Sequence, residues 1–591
     1  MINFRQYPSL TKVVMTKSIQ RTNNSLYNAF YNMQNLLNIS IPDRVTSITN
    51  MCYKCYNLTT AACGPNVTNM CNAYRYCTNL TTAVCGPNVT NMSYTYSNCY
   101  NLTTAVCGNN VINMSGTYSN CNSLTTAVCG DNVINMVNTY SNCQKLTGGA
   151  ACGDNVTNMS YTYNNCTSLT TAACGDNVTD MSNTYYKCYN LTTAACGPNV
   201  TNMSNTYRYC NSLTTAVCGP NVTNMSYTYL HCSNLTGNPV CGPNVTNMCS
   251  TYENCRNLTG SAVCGDNVTD MDCTYADCTS LTTAVCGNNV TIMSNTYNGC
   301  TSLTTAVCGD NVTNMNNTYQ NCTNLTTAVC GPNVTSMYGT YIYCTNLTTA
   351  VCGDKVTSMS YTYSSCYNLT TAICGDKVTD MYSTYSSCTN LTTAVCGPNV
   401  TYMGSTYTYC NNIITAVCGN NVTKLYRTYA DCTNLTTAVC GDNVTDMSGA
   451  YDGCTNLTTA VCGPNVTNIR YAYENCKNLT TAVCGNNVTD MYRTYHYCNN
   501  IRGNAYFYSN NVSNVCDCFY GRNTSNRLNI YVHNGSTTMN TCLYNNSDSF
   551  VGSGMTWTNH LSTNGYYYNA IRNIYIYPVT NVEAARIANG D

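Results

Sequence analysis

Forty-eight of the 591 residues are cysteine, enough thiol for disulfide ladders, zinc sites or a nucleophile, and their spacing decides among these chemistries. Twenty-one form one series, from Cys55, Cys77, Cys99, Cys121 and Cys143 through Cys166 to Cys498, and twenty form a second, from Cys63, Cys85 and Cys107 to Cys484. The step is 22 positions. It lengthens to 23 three times, by one residue between Leu146 and Cys152, between Leu235 and Cys241, and between Leu258 and Cys264, which marks a loop or a bulge. Each thiol of such a ladder has two equal neighbours, so the ladder cannot pair uniformly, and a buried free Cys packs as a small apolar residue. Zinc usually takes four N or S ligands, whereas Cys52-Tyr53-Lys54-Cys55 and Cys516-Asp517-Cys518 each lack a second nearby pair. No metal and no cofactor is expected.

The other reactive types are sparse. Four histidines, His231, His496, His533 and His560, have no carboxylate or nucleophile at a recognised spacing, so no catalytic residue is assigned and an enzyme is not expected. Gly175-Asp176-Asn177-Val178-Thr179-Asp180 looks like a calcium-binding repeat, but equivalent coils carry Pro or Lys there, as at Gly64-Pro65 and Gly353-Asp354-Lys355; the carboxylates read as solvated turn residues. The Asn-Leu-Thr and Asn-Val-Thr triplets match a glycosylation sequon, yet inward Leu and Val between polar neighbours account for them. With 23 Lys and Arg against 24 Asp and Glu, the chain has no electrostatic footprint for nucleic acid.

Positioning these residues requires a repeated unit. One coil, Cys77 to Cys99, has two halves with different hydrophobic periods. In the first, a strand puts Leu80, Ala83 and Cys85 on one side and Thr82 and Val84 on the other. Gly86-Pro87-Asn88 then turns the chain. In the second, Met92, Thr95, Tyr96 and Cys99 have helical spacing, with Thr90 or Asn91 available as an N-cap. Neither half can bury its apolar face alone, so coils must stack, and Leu80, Ala83, Cys85, Val89, Met92, Tyr96 and Cys99 form the core ladder. The expected fold is an α/β solenoid, leucine-rich-repeat-like: one long parallel sheet with short helical or 3-10 turns on the opposite side.

The coil beginning Ala29-Phe30-Tyr31-Asn32-Met33 and continuing Asn35-Leu36-Leu37-Asn38-Ile39-Ser40-Ile41-Pro42-Asp43-Arg44-Val45-Thr46-Ser47-Ile48 resembles the BspA-type leucine-rich repeats. Later coils depart consistently, with Ala and Cys for the strand Ile pair, Gly for Pro, Met for the second Ile and Tyr for Phe. The resemblance spans residues 26–522, giving a solenoid there, an N-terminal cap or docking segment at 1–25, and degenerate terminal coils, a cap or a small attachment domain at 523–591. Within that last part, Asn529-Ile530-Tyr531-Val532 and Asn573-Ile574-Tyr575-Ile576 lie two coil periods apart.

The resemblance implies surface or secreted adhesion proteins of microbes, and similar repeats in bacteriophage genomes as candidate tail proteins. Residues 1–25 contain Arg5, Lys12, Lys17 and Arg21 without a secretory apolar run, and no stretch approaches the roughly 20 apolar residues of a membrane span, so membrane insertion is not expected. The expectation is therefore a phage tail-associated virion component that recognises a host cell-surface polysaccharide or protein, with other virion or tail proteins as further partners. The alternatives are a purely structural spacer or an unconventionally exported microbial surface adhesin, located at the cell surface or outside the cell. The binding surface is expected on the near-uniform sheet face, at Thr82 and Val84, Thr104 and Val106, Thr305 and Val307, Thr327 and Val329, and Thr349 and Val351. Residues before the coil cysteine, such as Arg75-Tyr76, Arg208-Tyr209, Leu230-His231, Ile342-Tyr343 and His496-Tyr497, vary more and are read as a solvated convex face.

Overall fold

Main-chain hydrogen bonds between successive coils, more than bonds within any coil, define the architecture. In the computed structural model, which describes residues 4–15, 24–542, 557–570 and 572–589, the chain forms two units, Met1–Thr301 and Ser302–Asp591. Lys17 and Arg21 lie outside the described residues. Each unit is a solenoid of stacked coils with a long, mostly parallel sheet and short 3-10-type turns on the opposite face, as the sequence predicts.

The turn half shows why a 3-10-type geometry forms there and not an α-helix. Alternate amides reach to the next coil: Met92 N–H donates to Asn113 O (2.9 Å), Tyr94 to Ser115 O (2.8 Å), Tyr96 to Thr117 O (2.9 Å) and Asn98 to Ser119 O (2.8 Å). Those amides are unavailable for i to i−4 bonds. The intervening ones close short i to i−3 turns, Thr95 to Met92 O and Cys99 to Tyr96 O. This pattern holds residues such as Tyr94 (φ 52°) and Asn98 (φ 64°) in the left-handed region, where Asn is the best tolerated residue with a side chain. Asn91 is not a helix N-cap; its side-chain oxygen accepts from Ser93 N–H (2.9 Å), a local turn that Asn favours.

In unit 1 the sheet half reaches strand length in three parallel pairs. These are β1 (Lys12–Val13) with β2 (Asn38–Ile39), β3 (Gly148–Gly149) with β4 (Leu169–Thr171), and β5 (Gly260–Ala262) with β6 (Leu281–Ala284). Elsewhere single parallel bridges continue the line, as from Thr82 to Thr104, and a second line of bridges runs through Asn69, Asn91, Asn113 and Asn135. The three insertions are bulges in the sense that each adds a Gly with positive φ, Gly148 (80°), Gly237 (79°) and Gly260 (82°). The strand register shifts at the first and third of them.

In unit 2 the sheet ends in longer strands: β7 (Val483–Cys484), β8 (Gly503–Phe507) and β9 (Leu528–His533), then β10 (Thr558–His560), β11 (Tyr566–Asn569) and β12 (Ile574–Val579). Their order is β10-β11-β12-β9-β8-β7, parallel from β7 to β12 and antiparallel at β11 and β10. Asn529 opposes Tyr575, so the two Asn-Ile-Tyr segments pair two residues away from the sequence alignment but on the same face.

The core is a set of side-chain columns. Leu80, Val89, Met92, Tyr96 and Cys99 are fully buried and Ala83 nearly so, while Cys85 is half-buried. The tyrosines stack nearly parallel, Tyr74 to Tyr96 at 5.6 Å and Tyr96 to Tyr118 at 5.7 Å between ring centres, and the column continues through Tyr275 to Tyr297. Unit 2 has its own column, from Tyr319 and Tyr341 to Tyr473 and Tyr495. Along the unit 1 column the hydroxyls reach the main chain twelve residues earlier: Tyr96 donates to Val84 O (2.6 Å) and accepts from Val84 N–H (2.9 Å). Phe could fill the space but could not make those bonds. Cys99 donates its thiol proton to Tyr74 O (3.1 Å), and the single Thr95 hydroxyl proton is shared between Met70 O (2.9 Å) and Met92 O (2.7 Å), so these small polar residues occupy a core in which turns leave carbonyl lone pairs to satisfy.

Candidate recognition surface

Three exposed strips of each coil could meet a partner. The first is the sheet face. Thr82, Thr104, Thr305, Thr327 and Thr349 are exposed, whereas Val84, Val106, Val329 and Val351 are half-buried; Val307 is 50% exposed. The valines sit lower because the Tyr hydroxyls grip their main chain, as at Val106, bonded through both N and O to Tyr118. Adjacent threonines lie in register, Thr82 beside Thr104 and Thr327 beside Thr349.

The second strip follows the Gly-Pro-Asn turn, a segment that the sequence marks only as a turn. Val89 is buried, so Asn88 and Thr90 flanking it both face out. Repeated coil after coil, they line open grooves. One, of about 760 Å³, includes Asn66, Thr68, Asn88 and Thr90. A second, of about 710 Å³, runs from Asn177 to Asn267. Unit 2 has one of about 610 Å³ from Lys377 to Asn443. The side-chain donors are turned along the column: Asn88 Nδ2 donates to Pro65 O (2.9 Å), Thr90 Oγ1 to Thr68 O (3.3 Å), and in unit 2 Thr423 Oγ1 to Thr401 O (3.2 Å). What remains for a partner is the Asn and Thr oxygens and one N–H of each Asn amide. The signal is present in the sequence: each Asn-Val-Thr triplet is an inward Val between polar neighbours, and its recurrence coil after coil is what builds the surface.

The third strip is the run before each coil cysteine, where side chains differ from coil to coil. His231 stacks on Tyr209 (4.7 Å), and burial draws its pKa down. His496 is buried, with Nδ1 2.7 Å from Glu474 Oε1. Local spacing in the sequence offers this histidine no carboxylate; the partner lies one coil period away. Beside it, burial and then the Glu474 charge push Asp452 up to about 6. The thiols that feel its charges, Cys476 and Cys498, donate to Tyr451 O (3.0 Å) and Tyr473 O (2.9 Å). Among the described residues no three or more His, Cys, Asp or Glu side chains converge as a metal site. Asp180 Oδ1 accepts from Ser182 N–H (2.9 Å) as a turn residue. Cys52 and Cys518 are buried, and burial pushes both thiols well up. No described helix is long and apolar enough to cross a membrane.

Comparison with known proteins bears on this fold. The family profile described as "BspA type Leucine rich repeat region" matches residues 3–125, 136–259, 248–370, 343–436 and 426–551. Similar solved structures include a leucine-rich repeat protein from Bacteroides ovatus, 14% identical over 57% of this chain and 82% of that one, with a TM-score of 0.40. A leucine rich cell surface protein from Faecalibacterium prausnitzii is 17% identical over 55% and 82%, with a TM-score of 0.29. The functional domain of InlJ from Listeria monocytogenes, described as including a cysteine ladder, is 15% identical over 78% and 81%, with a TM-score of 0.18. No curated protein matches the chain.

Proposed function

Because the chain belongs to the BspA-type leucine-rich repeat family, a recognition and scaffold fold and not a catalytic one, we propose that it is an adhesion protein of a microbial surface that binds a repetitive, hydroxyl-rich polymer of another cell. One observation carries this reading. The columns turn each Thr hydroxyl proton and one N–H of each Asn amide toward carbonyls of the neighbouring coil, so the Thr and Asn oxygens and the second Asn N–H are repeated at the coil spacing of about 4.8 Å. A polysaccharide supplies donors in a repeating array. Each contact is weak, and many in register give avidity. The Thr and Val sheet face is assigned to the same partner as a second, parallel strip.

A tail-associated virion component is the second reading, favoured by the thiols. Cysteines of the buried series serve as hydrogen-bond donors to main-chain carbonyls, as at Cys99 and Cys188, a role that needs the thiol proton and suits assembly in a reducing cytoplasm. Fluorescent full-length protein added to candidate host cells tests the binding, with periodate oxidation of the cell glycans as the decisive arm. Binding lost after periodate supports the polysaccharide partner; binding that survives it points to a protein receptor, and no binding to any cell refutes adhesion. Surface labelling of producing cells against purified virions separates the two locations.

A further inference from the structure

The strip before the coil cysteines carries one arrangement twice. Lys stands immediately before that cysteine only at Lys54 and Lys187, and Arg stands two before it only at Arg75 and Arg208. Each Lys is followed by its Arg in the next coil, and the second pair lies 133 positions after the first, six coils along unit 1. Tyr53-Lys54 with Arg75-Tyr76, and Tyr186-Lys187 with Arg208-Tyr209, therefore make two copies of one cassette.

The copies share geometry. In the first, Lys54 Nζ lies 5.7 Å from the Tyr53 ring centre and 5.8 Å from Tyr76, and the Arg75 guanidinium lies 5.3 Å from Tyr76. In the second, Lys187 Nζ lies 5.1 Å from Tyr186 and 5.9 Å from Tyr209, and Arg208 lies 5.3 Å from Tyr209. The two rings meet edge to face in both, at 5.5 Å and 71° and at 5.9 Å and 80°. One Arg nitrogen donates to an Asn in each, Asn72 Oδ1 (3.3 Å) and Asn205 Oδ1 (3.2 Å). Lys54, Tyr76, Lys187 and Tyr209 all have φ between 61° and 64°. Asn holds this position in neighbouring coils, as at Asn98 and Asn120, so the cassettes keep bulky residues where the backbone disfavours them.

Unit 2 provides the contrast. Arg470 also lies over tyrosines, 4.9 Å from Tyr492, but it pairs with Asp490 (3.1 Å), and Arg493 pairs with Asp517 (3.3 Å). Among the described residues no carboxylate lies within ion-pair reach of Lys54, Arg75, Lys187 or Arg208. These clusters hold two cations between aromatic rings with no internal counter-charge.

We propose that the two cassettes are binding sites for a carboxylate-bearing sugar, with the Tyr rings stacking on the sugar face and the Lys and Arg pair receiving the carboxylate. Tyr offers a rigid apolar face with a polar tip, and Arg binds carboxylates through its planar fork. Six coils at about 4.8 Å separate the copies by roughly 29 Å, so one acidic chain can engage both and gain avidity. This assignment rests on the recognition reading above and specifies its ligand.

The test is calorimetric binding of the full chain to oligogalacturonate, a heparin-derived oligosaccharide and neutral maltooligosaccharide. Oligogalacturonate is expected to bind, more weakly as salt rises, and the neutral chain not to. K54Q/R75Q/K187Q/R208Q should lose at least tenfold in affinity. K54Q/K187Q, which leaves the Arg stacks intact, should lose part of it, and R470Q/R493Q none. Removing one cassette, K54Q/R75Q, should weaken a long oligomer more than a short one. The proposal is overturned if the parent binds no oligogalacturonate, binds the neutral chain equally, or prefers the sulfated chain, or if the folded K54Q/K187Q protein binds as the parent does. Cell adhesion by a variant that no longer binds oligogalacturonate would sink this proposal alone. Oligogalacturonate binding without adhesion to any cell would sink the adhesion reading alone.

Discussion

Replacing Tyr96 with Phe removes one oxygen and leaves the stacked ring in place. In the structure that oxygen donates to Val84 O (2.6 Å) and accepts from Val84 N–H (2.9 Å), and Tyr96 is fully buried between Tyr74 and Tyr118. Two main-chain groups lose their partner at once. An orphaned buried polar group costs about 1–3 kcal/mol, but Val84 is half-buried, so water can reach part of the site and the expected loss is about 2 kcal/mol. Tyr94 in the same coil is the control, since its ring is only half-buried and Tyr94→Phe should cost no more than about 0.5 kcal/mol. Solenoids unfold by neighbouring segments and need not be two-state. Native-state amide exchange at Val84 is therefore the sharper assay, supported by urea midpoints. Val84 should exchange roughly tenfold faster or more in Tyr96→Phe and at the parental rate in Tyr94→Phe. If both variants exchange and melt alike, the hydroxyl is not what pins the sheet half to the turn half, and packing alone selects Tyr.

Three further outcomes are expected. Burial pushes Cys63 up to about 11 and Cys107 to about 12, and the stacked tyrosines well above their usual value. The unfolded chain therefore releases these protons first, and stability held below about pH 8.5 drains away as pH climbs toward 12; a thermal midpoint unchanged between pH 7 and pH 11 contradicts this. Deleting one whole coil, Cys322 to Tyr343, should keep register and fold, while deleting Cys322 to Asn333 should not; equal loss of soluble protein from both contradicts nearest-neighbour stacking. Placing Glu at Thr305, Val307, Thr327, Val329, Thr349 and Val351 should abolish cell binding with the fold retained at some cost from adjacent like charges; a folded variant that binds as the parent does removes the sheet face from the recognition reading.

The periodic cysteines and the alternation around Ala83 make the stacked coil legible in the sequence, and the three 23-residue steps mark the Gly bulges at Gly148, Gly237 and Gly260. The choice between helix and 3-10-type turn is not legible. Met92, Thr95, Tyr96 and Cys99 have the spacing of either, and the choice falls to bonds that Met92, Tyr94, Tyr96 and Asn98 make with a coil 21 residues on. Propensity describes a segment against water, and here every second amide faces another copy of the same segment.

The same displacement governs which site residues could be seen. Local spacing puts no carboxylate beside His496 and puts Glu474 four residues after Arg470, yet Glu474 pairs with His496, 22 residues on, and Arg470 pairs with Asp490, 20 residues on. In a solenoid the chemical neighbourhood of a residue is its own coil position one period away, so ion pairing is decided by comparing adjacent coils. Arg75 and Arg208, two before their cysteines, meet Ser97 and Leu230 at the equivalent position of the next coil, whereas Arg470 and Arg493, six and five before theirs, are reached by Asp490 and Asp517. Columns that are the same in every coil cannot tell one partner from another, since each rung offers the same acceptors. Discrimination on such a surface has to come from the few positions that break the repeat, and the unpaired cations of unit 1 are among them.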